Sequence, residues 1–129
     1  MGTVVLRKSI VQAAISEARK STEIFRMGAV IFSKKTIVSS SRNQACRSLK
    51  HLHPKFFKWP YSVHAEVGAV IQARQDISGM SILVVRLNRH GRFALAKPCK
   101  HCLTYLNYVH IKRVYYSINN SDEFELMKL

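Results

Sequence analysis

Two short motifs constrain this chain more than any other feature: His64-Ala65-Glu66, and Pro98-Cys99-Lys100-His101-Cys102. One imidazole and a C-x-x-C pair supply three metal ligands and leave a fourth position open, the pattern of a catalytic rather than a structural zinc site. Cysteines three apart in the first turn of a helix point the same way, and a helix N-terminus favours their thiolate forms. Pro98 is well tolerated in such a first turn. A fold that uses these residues together must bring two helix starts face to face.

The rest of the chain supplies elements for this. Residues 6–20 read as a helix, with Leu6, Ile10, Ala13, Ala14 and Ala18 on the apolar face and Arg7, Lys8, Glu17 and Arg19 off it. Residues 28–32 (GAVIF) and 36–41 read as paired antiparallel strands around a Lys34-Lys35 turn. Residues 43–61 lack a period, contain two prolines and read as a long functional loop. A second helix is expected from His64 to Arg74, with Val63, Val67, Val70 and Ile71 on its apolar face. Residues 81–87 (SILVVRL) form a buried-type strand, 92–96 a further extended piece, 99–109 a third helix and 112–118 a strand. A last short strand is expected around Phe124 and Leu126, which alternate with glutamates. The order α-β-β-α-β-α-β-β predicts an α/β fold, a mixed sheet with helices on both faces. No repeat, linker or low-complexity tract divides the 129 residues, so one domain over 1–129 is expected.

Charge narrows the class of partner. Twenty-one Lys and Arg against seven Asp and Glu give a net charge of +14. No acid falls between Glu23 and Glu66, or between Asp76 and Asp122, while bases run from Arg26 to Lys58 and from Arg86 to Arg113. A field of this sign attracts phosphates, on nucleotides or on nucleic acid. Charges break every apolar run well before the roughly 18 residues of a membrane span, so no membrane partner is expected. The N-terminus places its basic residues within and after the apolar stretch, unlike a secretory signal, and a cytoplasmic location is expected. Three cysteines, Cys46, Cys99 and Cys102, argue against a disulfide scaffold and leave metal or redox chemistry for the close pair. A thioredoxin-like redox pair would leave His64-Ala65-Glu66 unexplained. A structural zinc site would need a fourth ligand, for which Cys46, His51, His53 and His101 are the candidates.

The combination of H-x-E with a later P-C-x-x-C is the signature of zinc-dependent deaminases. The stretch from Lys58 to Glu66, K-W-P-Y-S-V-H-A-E, resembles the K-x-P-Y-x-x-H-A-E segment of deoxycytidylate deaminases. Residues 28–43 are similar to that family's first hairpin, which ends in a sugar-holding Asn, and residues 98–117 to its P-C-x-x-C helix and following strand. The likeness spans roughly residues 25–120. It implies a cytidine deaminase-like three-layer α/β/α sandwich, with a mixed sheet of about five strands and zinc held by His64, Cys99 and Cys102 between two helix N-termini. It also implies that Glu66 is the general acid/base, that Asn43 contacts the sugar, and that the Ala65 backbone contacts the base edge. Asn43 has a competing reading as a turn-capping residue. The chain departs from the family pattern at Val67-Gly68-Ala69 after the H-A-E, and at residues 88–97, which separate the third strand from the P-C.

The reaction these residues imply is hydrolytic deamination of cytosine to uracil in a free nucleotide or nucleoside, with a homo-oligomer expected. Two alternatives come from the basic surface. One is deamination of cytosine in single-stranded DNA or RNA, with Phe56, Phe57, Trp59 and Tyr61 interleaved with Lys55 and Lys58 as a base-stacking set. Adenine editing fits less well, because that family's loop between the Asn and the H-A-E is shorter than residues 43–64. The other alternative is a non-catalytic zinc module that binds nucleic acid.

Overall fold

A computed structural model describes residues 3–23, 25–45 and 62–129. Nine strands and three helices follow in the order β1 (Thr3–Val4), α1 (Lys8–Lys20), β2 (Arg26–Ser33), β3 (Thr36–Arg42), β4 (Gln44–Ala45), β5 (Ser62–Val63), α2 (Ala65–Ala73), β6 (Ser81–Leu87), β7 (Phe93–Ala94), α3 (Lys100–Tyr108), β8 (Arg113–Ser117) and β9 (Phe124–Lys128). The main sheet runs β1-β9-β8-β6-β2-β3, with β7 added to β6. Among the described residues only β6 and β8 pair in parallel; every other ladder is antiparallel.

The expected sheet of about five strands corresponds to β3, β2, β6, β8 and β9. Two-residue ladders at β1 and β7 bring the total to seven. They are too short to show any period in the sequence. β4 and β5 form a separate ladder, Gln44↔Val63 and Ala45↔Ser62. The expected loop therefore begins in a strand; its residues 46–61, with Cys46, His51, His53 and the four aromatics, lie outside the described residues.

Strand alternation explains the three layers. On one face of the sheet Val30, Phe32, Leu83, Val85 and Leu87 pack with Ile10, Ala14 and Ala18 of α1. On the other, Ala29, Ile31, Ile82, Val84, Val114 and Tyr116 pack with Ala65, Ala69 and Ala73 of α2 and Leu106 of α3. Neighbouring residues of β2 and β6 thus enter opposite cores, as a strand covered on both faces requires.

Two helix faces differ from expectation. Glu17 is buried rather than outward, at 8% exposure, and its Oε2 has no hydrogen-bond partner among the described residues. The cause is the closeness of α1 to β2: a Cβ at Gly28 would meet the Ala14 carbonyl and lie 2.7 Å from the Ala18 nitrogen. Small residues on both sides let the helix sink until the neighbouring Glu17 is covered. In α2 the sheet-facing stripe is Ala65, Ala69 and Ala73, while Val67 packs with Cys102 and Tyr105, and Val70 and Ile71 border that group. The short side chains face the sheet because α2 lies close to it, and the larger ones fill the gap towards α3. No helix among the described residues is long and apolar enough to cross a membrane.

Candidate active site

His64 and Cys99 are the N-cap residues of α2 and α3, both in extended backbone, and Cys102 lies in the first turn of α3. Topology brings them together. β6 and β8 run parallel, and the chain must cross over between them. α3 lies in that crossover, on the face of the sheet that α2 occupies. One ligand atom from each of His64, Cys99 and Cys102 lies within 4.8 Å of the others. Cys102 Sγ is 3.4 Å from His64 Nδ1. Cys99 is exposed, His64 half-buried and Cys102 fully buried, so the cluster opens to solvent on one side. Among the described residues this His/Cys/Cys group has three members and no fourth.

The electrostatics suit a cation. Burial lowers the His64 pKa, and the nearby His101 lowers it further, so the ring is held in the neutral form that ligates metals. Burial, then the Glu66 carboxyl and the Cys99 thiol, push the Cys102 thiol up. Without a cation, two sulfurs and a carboxyl crowd together with no charge to favour their ionised forms. A divalent ion reverses that balance by binding the deprotonated ligands. Two thiolates and an imidazole are the donor set of a zinc site that keeps one position open. The residues present fit zinc.

Glu66, two residues from His64, is 2% exposed, and its carboxyl lies against the Cys102 thiol. Its Oε1 is buried without a hydrogen-bond partner among the described residues. Burial raises its pKa, with its own backbone N–H and Cys102 acting in the other direction. A buried, half-satisfied carboxyl beside a metal-ligand cluster is costly to stability and is what a proton-transfer site requires. Ala65 is the first residue of α2 and fully buried; its N–H belongs to the helix turn that has no intrahelical acceptor.

Asn43 is committed largely to structure. Its Oδ1 accepts from Ser21 Oγ (2.8 Å) and from the Met27 N–H (2.9 Å), and its Nδ2 donates to the Phe25 carbonyl (2.6 Å). Both lone pairs and one of its two N–H bonds are in use, so one N–H remains for a ligand. His101 is half-buried on α3, close enough to influence His64.

Sequence reasoning passed over Phe25 and Arg86. The Arg86 guanidinium carbon sits 4.3 Å from the Phe25 ring centroid. A charged residue inside the otherwise apolar run SILVVRL was the signal available. A cavity of about 410 Å³, lined among others by Ile15, Arg19, Phe93 and Asp122, is bordered by α1 and includes none of His64, Glu66, Cys99 or Cys102.

Fold and site define an α/β protein with a His/Cys/Cys group that could hold a metal ion, set at two helix N-termini with a buried glutamate beside it. The sequence model of the cytidine and deoxycytidylate deaminase zinc-binding region matches residues 6–118, and the chain belongs to that family. Among solved structures it is similar to the crystal structure of dCMP deaminase from the cyanophage S-TIM5 in complex with dCMP and dUMP, with 18% identity and a TM-score of 0.55 over 86% of this chain and 82% of that one. The apo form of the same phage enzyme gives 19% identity and a TM-score of 0.55 over 86% and 84%. These likenesses are of fold. No curated protein sequence matches the chain.

Proposed function

We propose that the protein hydrolytically deaminates cytosine to uracil in a free nucleotide or nucleoside of the dCMP or cytidine type, with zinc held by His64, Cys99 and Cys102. The observation that carries this reading is Glu66: a carboxyl buried against Cys102, with one oxygen that finds no hydrogen-bond partner among the described residues. Family membership and the dCMP and dUMP bound in the phage enzyme's structure support the same substrate class.

Zinc, when bound, supplies a Lewis acid that lowers the pKa of water in its open position towards 7. Glu66 handles the protons. It takes one from the attacking water and delivers it to the ring nitrogen beside the amino-bearing carbon. It then carries a second proton to the departing amine, so that water and cytosine give uracil and ammonia. Its raised pKa suits this exchange, because a carboxyl that titrates nearer neutrality both accepts and donates readily. In this reading the Ala65 backbone meets the base edge and the remaining N–H of Asn43 meets a sugar hydroxyl.

The deciding experiment incubates zinc-loaded protein separately with cytidine, deoxycytidine, their monophosphates, single-stranded DNA and transfer RNA, and follows uracil and inosine. Uracil from the monomers supports the proposal. Product from polynucleotide alone replaces it with the editing reading, and no product from any substrate favours a non-catalytic zinc module.

A further inference from the structure

Arg86 stands on the catalytic side of the sheet, and the mechanism above does not use it. In β6, Leu83, Val85 and Leu87 face α1 while Ile82 and Val84 face α2 and α3. Alternation puts Arg86 on the second face. It is paired with Met27, which packs against the same core cluster as Ala65 and is bound through its N–H by Asn43. Its other partner is Ala94 of β7, from which the chain leads directly to Pro98 and Cys99. Arg86 therefore lies at the strand end from which both ligand-bearing helices are launched.

The guanidinium of Arg86 is held over an aromatic ring. It stacks on the ring of Phe25, which is 57% exposed and fixed through its carbonyl by Asn43. Its Nε is buried with no hydrogen-bond partner among the described residues. Stacking occupies the face of a guanidinium and leaves its in-plane N–H donors to find an acceptor. An orphaned donor on a permanent cation is unfavourable for folding alone, a cost that an anionic ligand bound at this end of the strand would offset. A planar, pre-oriented arginine matches the paired oxygens of a phosphate.

We propose that Arg86, held by Phe25, is a specificity-determining residue that selects cytosine nucleosides carrying a phosphate ester on the sugar over unphosphorylated ones. This rests on the deaminase reading above. The phosphate belongs either to a free mononucleotide or to one link of a polynucleotide; the recognition chemistry is the same.

The test uses zinc-loaded Glu66→Gln protein, which holds substrate without turning it over, titrated calorimetrically with dCMP, deoxycytidine and a short cytosine-containing single-stranded oligonucleotide. Adding Arg86→Gln should cut the preference for dCMP over deoxycytidine by about 10- to 100-fold, the usual weight of a hydrogen bond to a charged group. Arg86→Lys, which keeps the charge and loses the flat fork, should fall between, and also serves if Arg86→Gln does not fold. A parallel loss with the oligonucleotide assigns the phosphate to a polynucleotide; a loss with dCMP and no oligonucleotide binding assigns it to a mononucleotide. An unchanged preference in both variants overturns the proposal while leaving the deaminase reading intact. Failure of the parent protein to bind any cytosine ligand refutes that reading, and the role of Arg86 with it.

Discussion

Cys102 Sγ and His64 Nδ1 lie 3.4 Å apart although 38 residues separate them in the chain. The contact joins the first turn of α3 to the N-cap of α2, and Cys99 completes the triangle. Purified protein is expected to carry about one zinc per chain. Cys102→Ala and Cys99→Ala should each lose most of it in metal analysis after dialysis. Full retention by either variant removes that residue from the ligand set.

Glu66→Gln keeps the side chain's size and a hydrogen-bond-accepting oxygen beside Cys102, so it should fold and hold zinc as the parent does. Its turnover should fall by at least about 10²–10⁴-fold, the usual contribution of a general acid/base. Steady-state kinetics and metal content measured on one preparation separate the two effects. Activity within a few-fold of the parent would take Glu66 out of the mechanism.

Asn43 is expected to affect stability as well as binding. Asn43→Ala removes the acceptor of the Met27 N–H and the donor to the Phe25 carbonyl. The cost should be about 1–3 kcal/mol in denaturant unfolding, since part-buried groups lose their partners. Nucleotide affinity should weaken as well, because the same bonds hold Phe25 under Arg86. Unchanged stability would return Asn43 to a purely ligand-facing role.

The grouping of His64, Cys99 and Cys102 and the major elements are legible in the sequence because they rest on local rules. β6 spans Ser81–Leu87, the limits set by its apolar run, and the bounds of α2 and α3 differ from expectation only at their capping residues. What was not legible depends on distance between elements. Glu17 looked like a solvent-facing acid because its burial comes from Gly28 on another strand. Asn43 showed the residue type of a sugar ligand or a turn cap, and only its partners at Ser21, Phe25 and Met27 show how much of it is committed. Arg86 reads in the sequence as one base among many, because the alternation that puts it on the α2 and α3 face has meaning only once both faces of the sheet are covered.

The approach of α1 to β2 gives a direct stability test. Gly28→Ala places a methyl against the Ala14 carbonyl and within 2.7 Å of the Ala18 nitrogen, and backbone atoms cannot swing aside as a side-chain tip can. Overpacking of this kind costs about 1–3 kcal/mol or more. The melting temperature should fall clearly, with zinc content per folded chain unchanged, since the clash lies on the opposite face of the sheet. No loss of stability would mean that α1 sits further from the sheet.

Tyr116 gives the fold an alkaline limit that can be measured. It is 3% exposed on β8, and its hydroxyl donates to Glu125 Oε2 at 2.6 Å across the ladder to β9. Burial, then the hydrogen bond and charge of Glu125, push its pKa up to about 12, against about 10 for an ordinary tyrosine. The folded state therefore holds the proton more tightly than the unfolded chain does. That contribution is fully present below about pH 10, where both states are protonated, and is lost as pH rises towards 12 and the unfolded chain alone releases the proton. Tyr116→Phe lacks the group and cancels the titration of every other lysine and tyrosine in a comparison. The stability difference between parent and Tyr116→Phe, measured by denaturant unfolding at steps from pH 8 to 11.5, should be constant up to about pH 10. Above that it should shift steadily against the parent. A difference independent of pH across this range would show that the Tyr116–Glu125 hydrogen bond does not hold the phenol in its protonated form.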